Sequence, residues 1–321
     1  MARDDSEGGP HAAARAALRL TPLQQRTLAA LQRSADPIPV DGGLVDDLRA
    51  EADEALEHFA ARIGEREQQF VNKHTLAKAL GCEEQFLLAD DFVWNPARAK
   101  GKVAHKAIQL LVSWRGEPTT IELVDEAVER LADDDRDSIA PWIASLGEGD
   151  RADLHGQAVE RVEKFRECFP PLRAAWRPVA EARTRWPHDG AVVLSGQADL
   201  TIGKPTPGES TKVIIDFKTG GTSPLHRQDL GFYSLLETMK TEIPPRKVAT
   251  LYLDSGEIQS EDVGERFLRS ALRRTLDGIH AVVELVVEER PPVRRPGTSC
   301  RWCPLSEECD DGRRYLAGPD S

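Results

Sequence analysis

The sequence predicts a mixed α/β protein in which an N-terminal helical region wraps a core of strands and helices. Three observations carry this prediction. Apolar residues recur at spacings of three and four through residues 44–169, the period shortens to two after Pro178, and strand-like and helix-like stretches then alternate to residue 287. A cysteine-rich segment closes the chain at 300–309.

Between residues 44 and 63, Val45, Leu48, Ala52, Leu56, Phe59 and Ile63 form one stripe beneath an acidic outer face, the pattern of an amphipathic helix. A short helix follows, with Thr75 as its expected cap and Cys82 just past Gly81. The next helix spans 96–114, with Val103, Ala107, Leu110 and Trp114 on one stripe and His105 beside it. Further helices are expected at about 119–134 and 153–169, separated by a solvated acidic loop around Asp133–Asp135 and Asp137. Residues 179–186 read as extended. In 191–202, Val192, Leu194, Gly196, Ala198, Leu200 and Ile202 share one strand face, and Ser195, Gln197, Asp199 and Thr201 share the other. The Pro- and Gly-rich stretch 203–210 is a hairpin connection into an apolar strand at 212–218. A helix at 225–239, a strand at 247–253 and a long helix at 263–287 complete the core. The expected division is a loose tail at 1–22, a mainly helical region at 23–176, a core at 177–290 and a cysteine-bearing segment at 291–321, with one continuous unit equally compatible.

Composition narrows the class. A chain of 321 residues with 40% hydrophobic and 30% charged residues is globular, which excludes a mostly disordered protein. No apolar run approaches the roughly 20 residues of a membrane-spanning helix, and the acidic N-terminus has no apolar signal region, so a cytoplasmic protein without membrane partners is expected. The net charge of −12 argues against a uniformly basic nucleic-acid binder. Eleven acids against three basic residues between Glu122 and Asp153 account for −8 of it, leaving room for a local basic channel elsewhere. Five unevenly placed cysteines do not form a secreted disulfide framework.

The richest stretch is Gly196-Gln197-Ala198-Asp199, followed after the turn by Asp216-Phe217-Lys218-Thr219-Gly220. Residues two apart on a strand share a face, so Asp216 and Lys218 project together beside the hairpin partner carrying Asp199. Two carboxylates held close repel each other and favour a divalent cation between them. Mg²⁺ or Mn²⁺ suits such oxygen donors, with the Phe217 carbonyl as a further ligand and Lys218 placed to steady the attacked phosphate. His105 is a candidate nitrogen ligand; Asp229 and Tyr233 share a face of the 225–239 helix.

Cys300, Cys303 and Cys309 give a C-x₂-C-x₅-C pattern that needs a fourth ligand to hold zinc or a 4Fe–4S cluster. Cys82 is the most attractive fourth, ahead of Cys168, His226 and His280, because it would clamp the N-terminal region to the tail. Spacing does not separate zinc from iron–sulfur.

These residues together resemble the RecB-like branch of the PD-(D/E)XK nuclease superfamily, in particular its iron–sulfur members such as AddB-type nuclease domains and CRISPR adaptation exonucleases. The resemblance runs over about 71–309. It implies a mixed central sheet flanked by helices and a Mg²⁺- or Mn²⁺-dependent deoxyribonuclease. Metal binding falls to His105, Asp199, Asp216 and Phe217, catalysis to Lys218 with Tyr233 on the following helix, and a 4Fe–4S cluster, in preference to zinc, to Cys82, Cys300, Cys303 and Cys309. Glutamine is expected where this chain has Asp229. The implied activity is exonucleolytic, on DNA ends or single strands in repair, recombination or defence. A separate helicase is a conceivable partner, since the chain has no P-loop. The alternatives are an inactive DNA-end-binding protein and a metal-stapled protein-interaction domain. Arg98, Lys100, Lys102, Lys106, Arg290, Arg294, Arg295 and Arg301 are candidate phosphate contacts, and Trp302 or Tyr233 candidate base-stacking groups.

Overall fold

Thr21 opens the first described helix with a capping box: its hydroxyl accepts the Gln24 N–H, and the Gln24 side chain returns to the Thr21 N–H. The computed structural model describes residues 20–35, 43–88 and 92–318; of the expected tail at 1–22, residues 1–19 lie outside them. The chain runs α1 (Pro22–Leu31), α2 (Leu44–Ile63), β1 (Gln69–Val71), α3 (Lys73–Ala79), α4 (Glu83–Leu87), α5 (Pro96–Ser113), α6 (Thr120–Ala132), α7 (Ile139–Ser145) and α8 (Glu148–Cys168). It continues through β2 (Val179–Trp186), β3 (Val192–Ile202), β4 (Val213–Lys218), α9 (Pro224–Thr241), β5 (Lys247–Tyr252), β6 (Ile258–Asp262), α10 (Glu265–Val282) and α11 (Asp310–Ala317).

Periodicity placed the long elements to within a few residues, and the differences have local causes. Asn72, not Thr75, caps α3, its Oδ1 accepting the N–H groups of His74 and Thr75 at 2.9 and 3.0 Å. α8 begins at Glu148, a turn and more before the expected start, and α10 gives way to a π-helical turn at Val283–Val287. β1 is three residues long and β6 is polar, so neither displays a strand-like apolar alternation.

Among the described residues the strands form one mixed sheet in the order β1-β3-β4-β5-β6, with β2 also on β3. β1–β3 and β4–β5 are parallel, and the other pairs are antiparallel. Helices cover both faces, as expected. On one side Leu200, Val213, Ile215 and Phe217 pack with Val103 and Ala107 of α5, Leu123 of α6 and Val162 of α8. On the other, Leu194, Ala198, Ile214 and Val248 pack with Phe59 of α2, Leu235 and Leu236 of α9 and Leu272 of α10. The single face expected for 192–202 is therefore divided: Val192, Leu194 and Ala198 join one core and Leu200 and Ile202 the other, the change falling at Asp199, where the facing Glu181 leaves extended backbone. Both cores draw on helices from before and strands from after residue 177. No helix among the described residues is long and apolar enough to cross a membrane.

The sheet has an opening at its middle. β2 pairs with β3 from Leu194 to Thr201, occupying one edge. β1 pairs with Val192–Leu194 and β4 with Leu200–Ile202 on the opposite edge. Residues 195–199 therefore have no strand partner among the described residues on that edge. The ends of β1 and β4 splay around Gly196 and Asp199.

Candidate active site

The β3–β4 register pairs Leu200 with Ile215 and Thr201 with Ile214, so its next step sets Asp199 opposite Asp216. The Phe217 N–H donates to Asp199 Oδ2 at 2.6 Å, tying the two strands at this point. His105 arrives from α5, whose Gly101 passes the turn after β4 so closely that a Cβ there would lie 2.9 Å from Thr219 Oγ1. The His105 ring stands edge-on to Phe217, and its Nδ1 lies 3.2 Å from Asp199 Oδ1.

Sequence reasoning missed Glu181. Ala180 pairs with Leu200 and Ala182 with Ala198, which sets Glu181 opposite Asp199, but Glu181 has a left-handed φ of 53° and interrupts the ladder there. Its carboxylate is held by the Gln197 amide. Ligand atoms of His105, Glu181 and Asp199 all lie within 4.8 Å of one another, and among the described residues no other trio of His, Cys, Asp or Glu does so. The hairpin held the clue: once β2 folds onto β3, register alone places residue 181 across from residue 199.

Asp216 lies outside that trio and meets two lysines. Its carboxylate is 1% exposed, with Oδ2 2.9 Å from Lys218 Nζ and Oδ1 3.6 Å from Lys73 Nζ. Both ammoniums also reach Asp229 Oδ2 on α9, Lys218 at 2.9 Å and Lys73 at 3.3 Å. Two lysines and two aspartates thus alternate around one small square. Lys73 further lies 5.0 Å over the Tyr233 ring.

Burial and crowding fix the charge states. Burial would raise Asp199, but the His105 charge and hydrogen bond and the Phe217 N–H hold its carboxyl below the usual range. Burial and the neighbouring Asp199 charge push Asp216 upward against the pull of the two lysines. The same two causes raise Glu181. For His105 burial works downward, and the Asp199 carboxylate more than offsets it, so its pKa is raised. Two carboxylates and an imidazole around one desolvated spot are a donor set for a hard divalent cation.

Tyr233 is 6% exposed and packed against the strand opening, which removes it as a base-stacking surface, whereas Trp302 is 75% exposed. Burial raises the Tyr233 pKa, so it stays a neutral phenol. A Cβ on Gly196 would sit 2.8 Å from Leu236 Cδ1 and 3.0 Å from Tyr233 Cε1. Gly196→Ala is therefore expected to cost about 1–3 kcal/mol by overpacking, read by chemical denaturation; an unchanged midpoint would mean that α9 can step back freely.

The sequence profile of the PD-(D/E)XK nuclease superfamily matches residues 72–310 of the 321. The chain belongs to that superfamily. The span recognised as PD-(D/E)XK begins at the cap of α3 and ends at the first residue of α11, enclosing every residue of the site and the four clustered cysteines. No curated protein matches the chain in sequence. Two solved structures align with this PD-(D/E)XK chain at low identity. The protein SSO0001 is 14% identical over 82% of this chain and 97% of its own, with a TM-score of 0.34. A Eubacterium rectale protein, provisionally described as an exonuclease, is 13% identical over 73% of this chain and 96% of its own, with a TM-score of 0.33.

Cys82, Cys300, Cys303 and Cys309 line one small cavity between α4 and the C-terminal segment. The Gly297 N–H donates to Cys300 Sγ and the Gly312 N–H to Cys309 Sγ, each at 3.3 Å. Four sulfur donors line this cavity, two of them accepting backbone N–H groups, a chemistry suited to a soft metal; no three of the sulfurs lie within 4.8 Å of one another. The other fourth-ligand candidates are engaged elsewhere: Cys168 is buried near Gly256, His226 bonds Tyr252, and His280 pairs with Glu284. Four expected phosphate contacts also have other work. Arg290 and Arg295 bind Glu83, and Arg294 binds Glu84, so they dock the C-terminal segment on α4. Lys102 pairs with Asp137. The cleft beside Asp199 is instead flanked by Lys73, Arg183 and Arg185, which sequence reasoning did not single out.

Proposed function

We propose that this PD-(D/E)XK protein is a Mg²⁺- or Mn²⁺-dependent deoxyribonuclease of the RecB-like, iron–sulfur-bearing branch, acting as an exonuclease on DNA ends or single strands. The observation that carries the reading is the meeting of His105, Glu181 and Asp199 beside the Asp216–Lys218 pair, at the opening between β1 and β4 on the edge of β3. His105, Asp199, Asp216 and the Phe217 carbonyl would hold the ion, with Glu181 as an added carboxylate. Such an ion supplies an activated water and offsets charge on the attacked phosphate.

The chain's own groups do the remaining work. Asp199 orients the His105 ring through Nδ1. Lys218, its pKa raised by Asp216 and Asp229 against the effect of burial, stays protonated and presents positive charge where phosphate charge builds. Tyr233, a buried neutral phenol, walls the cleft. Arg183 and Arg185 at its rim would attract the strand. The exonuclease mode, the 4Fe–4S cluster at Cys82, Cys300, Cys303 and Cys309, and a role in repair, recombination or defence come from the motif resemblance.

Digestion of end-labelled single- and double-stranded DNA with Mg²⁺, Mn²⁺ or EDTA, using 5′- and 3′-blocked substrates, tests the reading. Stepwise, metal-dependent loss from an unblocked end is expected. End binding without cleavage would make the protein an inactive end binder, and no salt-dependent DNA affinity would leave only a metal-stapled interaction domain.

A further inference from the structure

Lys73 stands on the wall between two cavities. One is the cleft of Asp199, Glu181, Arg183 and Arg185. The other lies between α3, α9 and α10 and is lined by Gln228, Asp229, Ser270 and Arg274 as well as Lys73. The second cavity contains polar groups that the fold leaves unused. Arg274 is half-buried, and its guanidinium makes no hydrogen bond or ion pair with any described residue; Asp229 and Asp277 act on it only at a distance. Gln228 Oε1 is buried without a hydrogen-bond partner. Arg227, at the cavity mouth, is by contrast fully engaged by both oxygens of Glu261.

A guanidinium removed from water and left unpaired is costly, and an anion offsets that cost. Asp229 does not neutralise the cavity, because its carboxylate is already shared by Lys73 and Lys218. The forked donors of arginine match a phosphate group, and a lysine beside it adds a point charge.

We propose that this cavity is a phosphate subsite, in which Lys73 and Arg274 hold the phosphodiester next to the one positioned at the candidate metal site of His105, Glu181 and Asp199. The assignment rests on the nuclease reading, since a substrate that repeats a phosphate at every residue brings a second anion to the neighbouring cavity. Asp229 has a positioning part: standing where the resemblance expects glutamine, it supplies the charge that keeps Lys73 at the shared wall.

The test is the salt dependence of affinity for a fluorescent single-stranded oligonucleotide, measured by anisotropy in EDTA so that the strand stays intact. Each phosphate contact contributes about 0.7 to the slope of log affinity against log salt for a single strand. Arg274→Met is expected to lower the slope by about 0.7 and weaken binding by roughly tenfold at moderate salt. Arg274→Lys, which keeps the charge, should restore the slope, and Arg130→Met on α6 should leave it alone. Lys73→Met should lower it similarly and serves if the Arg274 variants melt early. Slopes equal to the parent's in both Arg274→Met and Lys73→Met overturn the subsite. If the parent cleaves DNA with Mg²⁺ in that case, the nuclease reading survives; if the parent shows no salt-dependent affinity, both fall together.

Discussion

Asp216→Asn is expected to lower metal-dependent cleavage by roughly 10³-fold or more while DNA affinity in EDTA rises. The two effects have one origin. Asparagine keeps the volume of a side chain that is 1% exposed, so the strand end has no reason to move. It removes one of the negative charges that would grip a cation, and the same charge repels phosphate. A misfolded variant would lose affinity as well as cleavage, so the opposite signs identify the cause. Cleavage within tenfold of the parent would remove Asp216 from the metal site and leave the ion to His105, Glu181 and Asp199 alone.

Most of that site was legible because it lies on strands, where a period of two decides which residues share a face. Asp216 and Lys218 needed only the alternation of 212–218, and Asp199 the hairpin that brings its strand alongside; the alternation of 191–202 itself breaks at Asp199, where the apolar residues change cores. His105 was visible beside the helical stripe of 96–114, although nothing in that stripe says which strand it meets. Glu181 was one step further away, requiring the partner of β2 as well as its alternation, together with a backbone twist that no pattern announces.

Lys73 was illegible for a different reason, and Asp229 was placed on the right helix face without its partners. Lys73 follows a three-residue strand, too short for any period to appear, and reaches the site only because β1 joins the far end of the edge that β4 also uses. Asp229 read as a departure from an expected glutamine. Its meaning appears only once two lysines from distant segments meet on one carboxylate. The basic residues of 290–295 were misread in the opposite direction, because charge counted along the chain does not reveal that Glu83 and Glu84 already hold them.

That ionic anchor shapes the other large effect. If the proposed 4Fe–4S cluster is present, Cys300→Ser is expected to abolish its visible absorption and iron content in anaerobically purified protein and to speed tryptic cleavage at Arg301, Arg313 and Arg314 by roughly tenfold or more, equivalent to about 1.4 kcal/mol of local opening. Cleavage at Arg294 should change little, because Glu83 accepts from Arg290 and Arg295 at 2.9 Å each and from the Val293 N–H at 2.8 Å, independently of the thiols. Burial would raise Glu83, yet these donors bring it down to about 2. A carboxyl depressed in the folded state lends stability above its unfolded value and loses it as pH falls through the folded one. The denaturation advantage of the parent over Glu83→Gln should accordingly be full above about pH 4.5 and vanish towards pH 2. Adding Glu83→Gln to Cys300→Ser should then open the whole 290–318 stretch at neutral pH. Stoichiometric zinc in colourless parent protein would replace the cluster by a single ion, and a Cys300→Ser protein that digests like its parent would show that the charges alone hold the segment down.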